Sequence, residues 1–170
     1  MPPPLRLTLT DYLDPTRWRW VLSDGSGRFL ADHNVRLDPT SREYKGFVDL
    51  SSYLDYYTPI DPPVKQLAEL GAWMGEKVFG GLRDAFWKNK ALPAAAVHVV
   101  VPPAAQELLF RPFELARFAN DQQFKGQSFR AAGLRFVYAL EGTADGSAGK
   151  EPLCVAKVID VKFTIPDQVC

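Results

Sequence analysis

Hydrophobic and polar residues alternate over the first third of the chain, a pattern typical of strands that bury one face. The alternation runs over residues 5–10, and it resumes over residues 17–22 after a turn at Asp14-Pro15-Thr16. The segment Asp24-Gly25-Ser26-Gly27 is typical of a hairpin turn and leads to a third strand over residues 29–37. These elements predict an N-terminal β-meander.

Apolar residues at steps of three and four predict the longest helix, between Val64 and Phe86. The stripe comprises Val64, Leu67, Leu70, Met74, Val78, Leu82 and Phe86. Gly71 and Gly75 lie within it, and each glycine costs about 1 kcal/mol relative to alanine unless close packing requires it. The pair Gly80-Gly81 is expected to bend or divide this helix.

Shorter elements flank the long helix on both sides. Upstream, Asp38-Pro39-Thr40-Ser41 can cap a short helix, which is expected to continue into a tyrosine-rich connection that ends at Pro59. Downstream, Val97–Val101 and Leu134–Leu140 are apolar segments that predict two strands. The polar turn between these strands follows a proline-containing segment over residues 108–117.

The change from period two to period 3.6 and back predicts the fold class. We expect an α+β fold (or α/β) with an N-terminal β-meander and a long helix packed on a mixed β-sheet. Residues 1–141 are expected to form a single α+β domain. Residues 142–150 are small and polar and predict a linker-like loop, and residues 151–170 are expected to form one or two C-terminal strands.

Glu114 is an acid inside an apolar run, where a carboxylate requires hydrogen-bonded partners. Pro112 fixes the entry of this segment, and Phe113 and Leu115 direct it into the core. Glu114 is expected to accept hydrogen bonds from backbone amides or to pair with one of two nearby arginines. We interpret the segment as a structural motif rather than a catalytic one. Its residues are Arg111, Pro112, Phe113, Glu114, Leu115 and Arg117.

Composition and charge narrow the class of protein. Twenty basic residues balance twenty acidic ones among 170, so no net charge favours nucleic acid or an anionic membrane as a partner. No apolar run approaches the roughly 20 residues that cross a bilayer, and the start lacks the features of a secretion signal. Two cysteines do not make a disulfide framework. We expect a cytoplasmic protein, and the sequence leaves its oligomeric state open.

Residues able to perform chemistry are few. The nitrogen and sulfur ligands are His33, His98, Cys154 and Cys170, whose separation predicts no metal site, and no phosphate or dinucleotide loop predicts a cofactor. A small cysteine hydrolase that uses Cys154 with His98 stays an alternative, although Cys154 is also typical of a small buried residue. A small-ligand-binding module built on the aromatic residues is a second alternative. Those residues are Trp18, Trp20, Tyr53, Tyr56 and Tyr57.

The order of these segments resembles the region just upstream of the caspase-like domain in bacterial CHAT-domain proteins. The shared features are a helix, a strand, a Phe/Leu-x-Pro-Phe/Trp-Glu-Leu motif, a polar turn and a second strand. In this chain the helix corresponds to residues 67–79, the two strands to residues 97–101 and 133–140, and the motif to residues 109–115. The resemblance covers residues 64–140, and the meander is similar to the start of the actinobacterial-type members.

This resemblance implies a non-catalytic accessory region, a scaffold or partner-recognition element, whose protein partner is a caspase-like domain. The partner would lie in cis if the natural chain continues. In that family the catalytic histidine and cysteine lie past the first strand of the protease fold. Residues 153–166 resemble that first strand region, and no position here matches the catalytic pair. We expect either an N-terminal fragment of a longer protein or a stand-alone relic of the region.

Overall fold

Five strands form one mixed sheet in the computed structural model, which describes residues 4–88, 96–118 and 126–141. The strands are β1 (Leu5–Asp14), β2 (Arg17–Ser23), β3 (Phe29–Arg36), β4 (Ala96–Val101) and β5 (Arg135–Leu140). Their order across the sheet is β3-β2-β1-β4-β5. The first three strands pair antiparallel, whereas β4 joins β1 and β5 joins β4 in parallel. The predicted meander, the mixed sheet and the α+β class are confirmed.

Four α-helices lie between β3 and β4 in the described part of the chain. They are α1 (Arg42–Val48), α2 (Leu50–Tyr57), α3 (Pro63–Lys77) and α4 (Arg83–Lys88). Ser41 caps α1 as predicted, since its hydroxyl accepts a hydrogen bond from the Tyr44 amide at 3.2 Å. The expected tyrosine-rich connection is wrong because Asp49 caps a second helix there, accepting from the Ser52 amide at 3.0 Å.

The predicted long helix is divided where its glycine pair lies. The helix α3 ends at Lys77, a 3₁₀ turn follows over Gly80–Leu82, and α4 begins directly after it. The predicted stripe is wrong at its start, where Val64 is 80% exposed and Gln66 is fully buried instead. The side-chain Nε2 of Gln66 donates to the Asp61 carbonyl oxygen at 2.7 Å. This hydrogen bond allows a polar side chain at that buried position.

The core lies between the helices and one face of the sheet. Trp18 and Trp20 are 3% and 0% exposed on that face. The Trp18 ring stacks on Phe47 with centroids 6.5 Å apart, and the Trp20 ring lies 6.4 Å from Phe79 and 5.8 Å from Phe113. Both tryptophans therefore serve the core, as the strand alternation indicates, and neither is available to a ligand.

The opposite face of the sheet carries the alternate residues of the same strands. Arg6, Thr8 and His98 lie outside the core cluster there. On β2 and β3 this face is charged, because Arg19 pairs with Asp32 at 2.7 Å. None of the helices in the described ranges has the length and apolar content that a membrane span requires. The predicted loop over 142–150 and strands over 151–170 lie outside the described residues.

Candidate functional site

The motif that carries the resemblance forms tight turns against the core. A 3₁₀ segment over Pro103–Phe110 leads into a second turn over Phe113–Leu115. The second turn is closed by hydrogen bonds from the Leu115 amide to the Pro112 carbonyl (3.0 Å) and from the Ala116 amide to the Phe113 carbonyl (3.1 Å). Because proline restricts its own φ, Pro112 favours this turn over a continued strand.

Phe113 anchors the motif in the aromatic core. Its side chain is 1% exposed. Its ring centroid lies 5.7 Å from that of Phe79 and 5.8 Å from those of Phe47 and Trp20. These rings come from α1, from the turn after α3 and from β2, so one side chain contacts both the helical layer and the sheet. Burial of this kind is among the largest single contributions to a core.

The motif backbone lies directly on the glycines of α3. The Arg117 amide donates to the Gly71 carbonyl oxygen at 2.9 Å. A Cβ atom added to Gly75 would collide with the Arg117 carbonyl group, and one added to Gly71 would collide with the Leu115 carbonyl oxygen. The two glycines thus allow a close backbone approach that a side chain would block. This close approach explains why glycine, which has a low helix propensity, occupies both positions in α3.

In the described part of the chain, Glu114 has a different partner from the arginines that the sequence suggests. Within the described residues its half-buried carboxylate accepts a hydrogen bond from the Tyr138 hydroxyl at 3.0 Å and forms no ion pair with Arg111 or Arg117. The Arg111 guanidinium donates to the Val48 carbonyl oxygen at 3.1 Å instead. The pairing of β5 with β4 places Tyr138 beside the motif, a contact between residues 24 positions apart that local sequence does not indicate.

Burial of the Tyr138 hydroxyl, together with the negative charge of Glu114, raises the pKa of Tyr138 well above its usual range. Tyr138 therefore stays protonated and acts as the donor, and Glu114 acts as the acceptor. This pair joins the motif to β5. Two backbone hydrogen bonds also join the motif to the segment that precedes β5. The Phe129 amide donates to the Ala116 carbonyl (2.8 Å), and the Arg130 amide donates to the Glu114 carbonyl (3.1 Å).

Replacing Glu114 with alanine is expected to lower the free energy of unfolding by about 1–3 kcal/mol, because the Tyr138 hydroxyl loses its acceptor in a buried position. Tyr138→Phe removes the donor, and the double variant should lose less than the sum of the two single losses. Urea unfolding of the three variants measures this coupling. Strictly additive losses would show that the two side chains do not interact.

The two histidines have different surroundings. His33 bridges the end of α3, since its Nε2 lies 2.9 Å from the Lys77 carbonyl oxygen and its Nδ1 accepts from the Gly81 amide at 3.2 Å. Both nitrogens of His33 are thus used in a structural contact, with the proton on Nε2. His98 is exposed on the opposite face of the sheet. No described group of three histidines, cysteines or acids could hold a metal ion.

The Cys154–His98 pairing stays a prediction, because Cys154 and Cys170 lie outside the described residues. His98, the member of the pair that the structure describes, lines a small cavity of about 220 Å³ together with Arg6 and Asp24. That cavity brings one imidazole near charged groups but contains no described nucleophile.

A larger cavity, of about 540 Å³, lies beside the motif. It is lined by Ala72, Trp73, Gly75, Glu76, Gly80, Arg83, Arg117 and Phe118. Arg117 belongs to the predicted structural motif, but the sequence does not predict this cavity. The cavity combines residues from α3, from the turn after it and from the segment that crosses α3, so no stretch of sequence contains its pattern.

A comparison of the chain with protein families, with characterised proteins and with solved structures finds no match. Function therefore has to be argued from the residues and their geometry.

Proposed function

We propose that this chain is the non-catalytic accessory region of a bacterial, cytoplasmic CHAT-type caspase-like protease protein, serving as a scaffold or partner-recognition element. One observation carries the proposal. The separate segments on which the resemblance rests, namely α3, β4, the motif and β5, pack against one another. The motif crosses α3, Tyr138 of β5 contacts Glu114, and β5 pairs with β4 along its whole length.

The residues of the motif support a structural role for it. Phe113 fills the core, and the Glu114 carboxylate accepts a hydrogen bond from the Tyr138 hydroxyl. A general acid or base would need a reacting group within hydrogen-bond reach, and a nucleophile would need an adjacent base. An accessory region has to present a fixed surface to its partner, and a motif that joins a helix to a sheet supports such a surface.

The partner that we propose is a caspase-like domain, in the same chain or in a neighbouring protein. The test begins with the natural reading frame that contains this sequence. We expect that frame or an adjacent one to encode a domain with a His/Cys pair, and we expect peptidase activity of the expressed protein to disappear when that cysteine is replaced. Cys154→Ala and His98→Ala in the present chain should leave the activity unchanged.

The alternative enzyme would give a different result in the isolated chain. Stoichiometric labelling of Cys154 by a thiol-reactive activity probe, abolished by His98→Ala, would contradict the accessory role and identify a small cysteine hydrolase. Cys154→Ala is the matched control for the labelling itself, because it removes the thiol without altering His98.

A further inference from the structure

We propose that the 540 Å³ cavity beside the motif binds a carboxylate side chain of a partner polypeptide through Arg83 and Arg117. This inference rests on the proposed partner-recognition role and names the chemistry that the partner would present. A volume of 540 Å³ lies within the roughly 300–1,000 Å³ typical of ligand pockets, and it is large enough for an acidic side chain with an apolar neighbour.

The charge lining the cavity is positive and incompletely neutralised. Two arginines and one acid line it. The acid, Glu76, lies 2.8 Å from the Lys77 ammonium group, but these two side chains are 72% and 49% exposed, so this ion pair is weak. Arg83 contacts Asp84 at 3.4 Å, but the two side chains are 54% and 76% exposed, so this pair is weak. Arg117 forms no ion pair with any described residue.

Among the described residues, Arg117 has no partner for its charge. Its Nε is buried and has no hydrogen-bond partner among the described residues. Its backbone is fixed by the bond to the Gly71 carbonyl oxygen, and its Nε would lie 3.0 Å from a Cβ atom at Gly71. The Arg117 side chain therefore lies directly against α3 beside Gly71.

A carboxylate fits this site better than a phosphate. Two arginines with one acid leave a single net positive charge, which matches the single negative charge of a carboxylate better than the charge of about −2 on a phosphate group. Trp73 and Phe118 add aromatic surface to the same cavity, which favours an apolar residue beside the acid. Because the Arg83 side chain is 54% exposed, an approaching chain can reach it from solvent.

The test uses the full chain and NMR titration of its backbone amides with three probes. The first is a blocked phenylalanine–glutamate dipeptide, the second is its phenylalanine–glutamine counterpart, and the third is sodium acetate. We expect saturable shifts of the Gly75 and Gly80 amides with the glutamate dipeptide, and affinity weaker by about tenfold or more with the other two probes. Arg117→Gln and Arg83→Gln should each lower the affinity by about tenfold.

Arg6→Gln is the matched control, because Arg6 is exposed and lines the smaller cavity on the opposite face of the sheet, so its loss removes the same charge elsewhere. It should leave the affinity unchanged. If Arg117→Gln fails to fold, Arg83→Gln still decides the matter, because Arg83 is exposed.

Equal binding of the glutamine dipeptide, unchanged binding in Arg83→Gln, or no saturable shift would overturn the carboxylate site. Equal binding of acetate would overturn its assignment to a polypeptide. None of these results would bear on the peptidase test above, so a failure of this site is distinguishable from a failure of the accessory role.

Discussion

Replacing Gly75 with alanine is expected to destabilise the protein by at least about 2 kcal/mol, which is the size of an overpacking penalty in a well-packed interior. At an ordinary helical position the same change stabilises by about 1 kcal/mol, so the expected effect has the opposite sign. The physical reason is the Arg117 carbonyl group, which occupies the space that the new methyl group needs. Backbone atoms cannot move aside as the end of a flexible side chain can.

Urea unfolding of Gly75→Ala measures this effect, and Gly80→Ala is its matched control. A Cβ atom at Gly80 would have its nearest neighbours 3.9 Å away, an ordinary contact distance. We expect the control to change stability by no more than about 0.5 kcal/mol, as surface substitutions usually do. A Gly75→Ala variant as stable as the parent protein would show that the motif backbone does not lie on α3.

Replacing Phe113 with alanine should cost about 3–5 kcal/mol, the range for truncating a buried aromatic side chain. The Phe113 ring contacts rings from the sheet, from α1 and from the turn after α3, so its loss leaves a cavity that no single element can close. The loss includes the transfer free energy of the ring and the contacts of the surrounding aromatic residues.

Phe110→Ala is the matched control for this prediction, because it makes the same change three positions earlier at a residue that is 60% exposed. Thermal or urea unfolding of the two variants gives the comparison, and we expect Phe110→Ala to cost less than about 1 kcal/mol. Equal losses in the two variants would contradict the role of Phe113 as the anchor of the motif.

The elements of the fold could be predicted because their signals are local. Alternation in β1 and β2 follows from the two faces of a strand, and one of those faces is the core here. The Ser41 cap also depends on neighbouring residues alone, and the break at Gly80 is indicated by the local glycine pair. The predicted strand at Val97–Val101 is present, and it extends back to Ala96.

The two errors in the helical region have different causes. Val64 follows the helical stripe but lies in the first turn of α3, where it is exposed. The sequence predicts a connection for the tyrosines of residues 50–57, yet Asp49 caps a helix there, and the Tyr53 and Tyr57 rings, one turn apart, have centroids 4.9 Å from each other. Periodicity indicates which face of an element is apolar, but it does not show how far the partner layer extends.

The sequence predicts only part of the candidate site. The motif was recognisable as an acid in an apolar run, and Gly71 and Gly75 were recognisable as costly positions that need a reason. The partner of Glu114 was not, because Tyr138 reaches it only through the pairing of β5 with β4. The cavity at Arg83 and Arg117 likewise depends on the path of the chain across α3.

The structural role of the motif is tested most directly by native-state hydrogen exchange at the Arg117 amide. This amide donates to the Gly71 carbonyl oxygen at 2.9 Å, and that bond forms only if the motif lies on the glycines of α3. If the motif joins α3 to the sheet, the Arg117 amide should exchange only on global unfolding, with an opening free energy equal to that measured in urea. Exchange at the rate of an exposed loop would contradict the structural role.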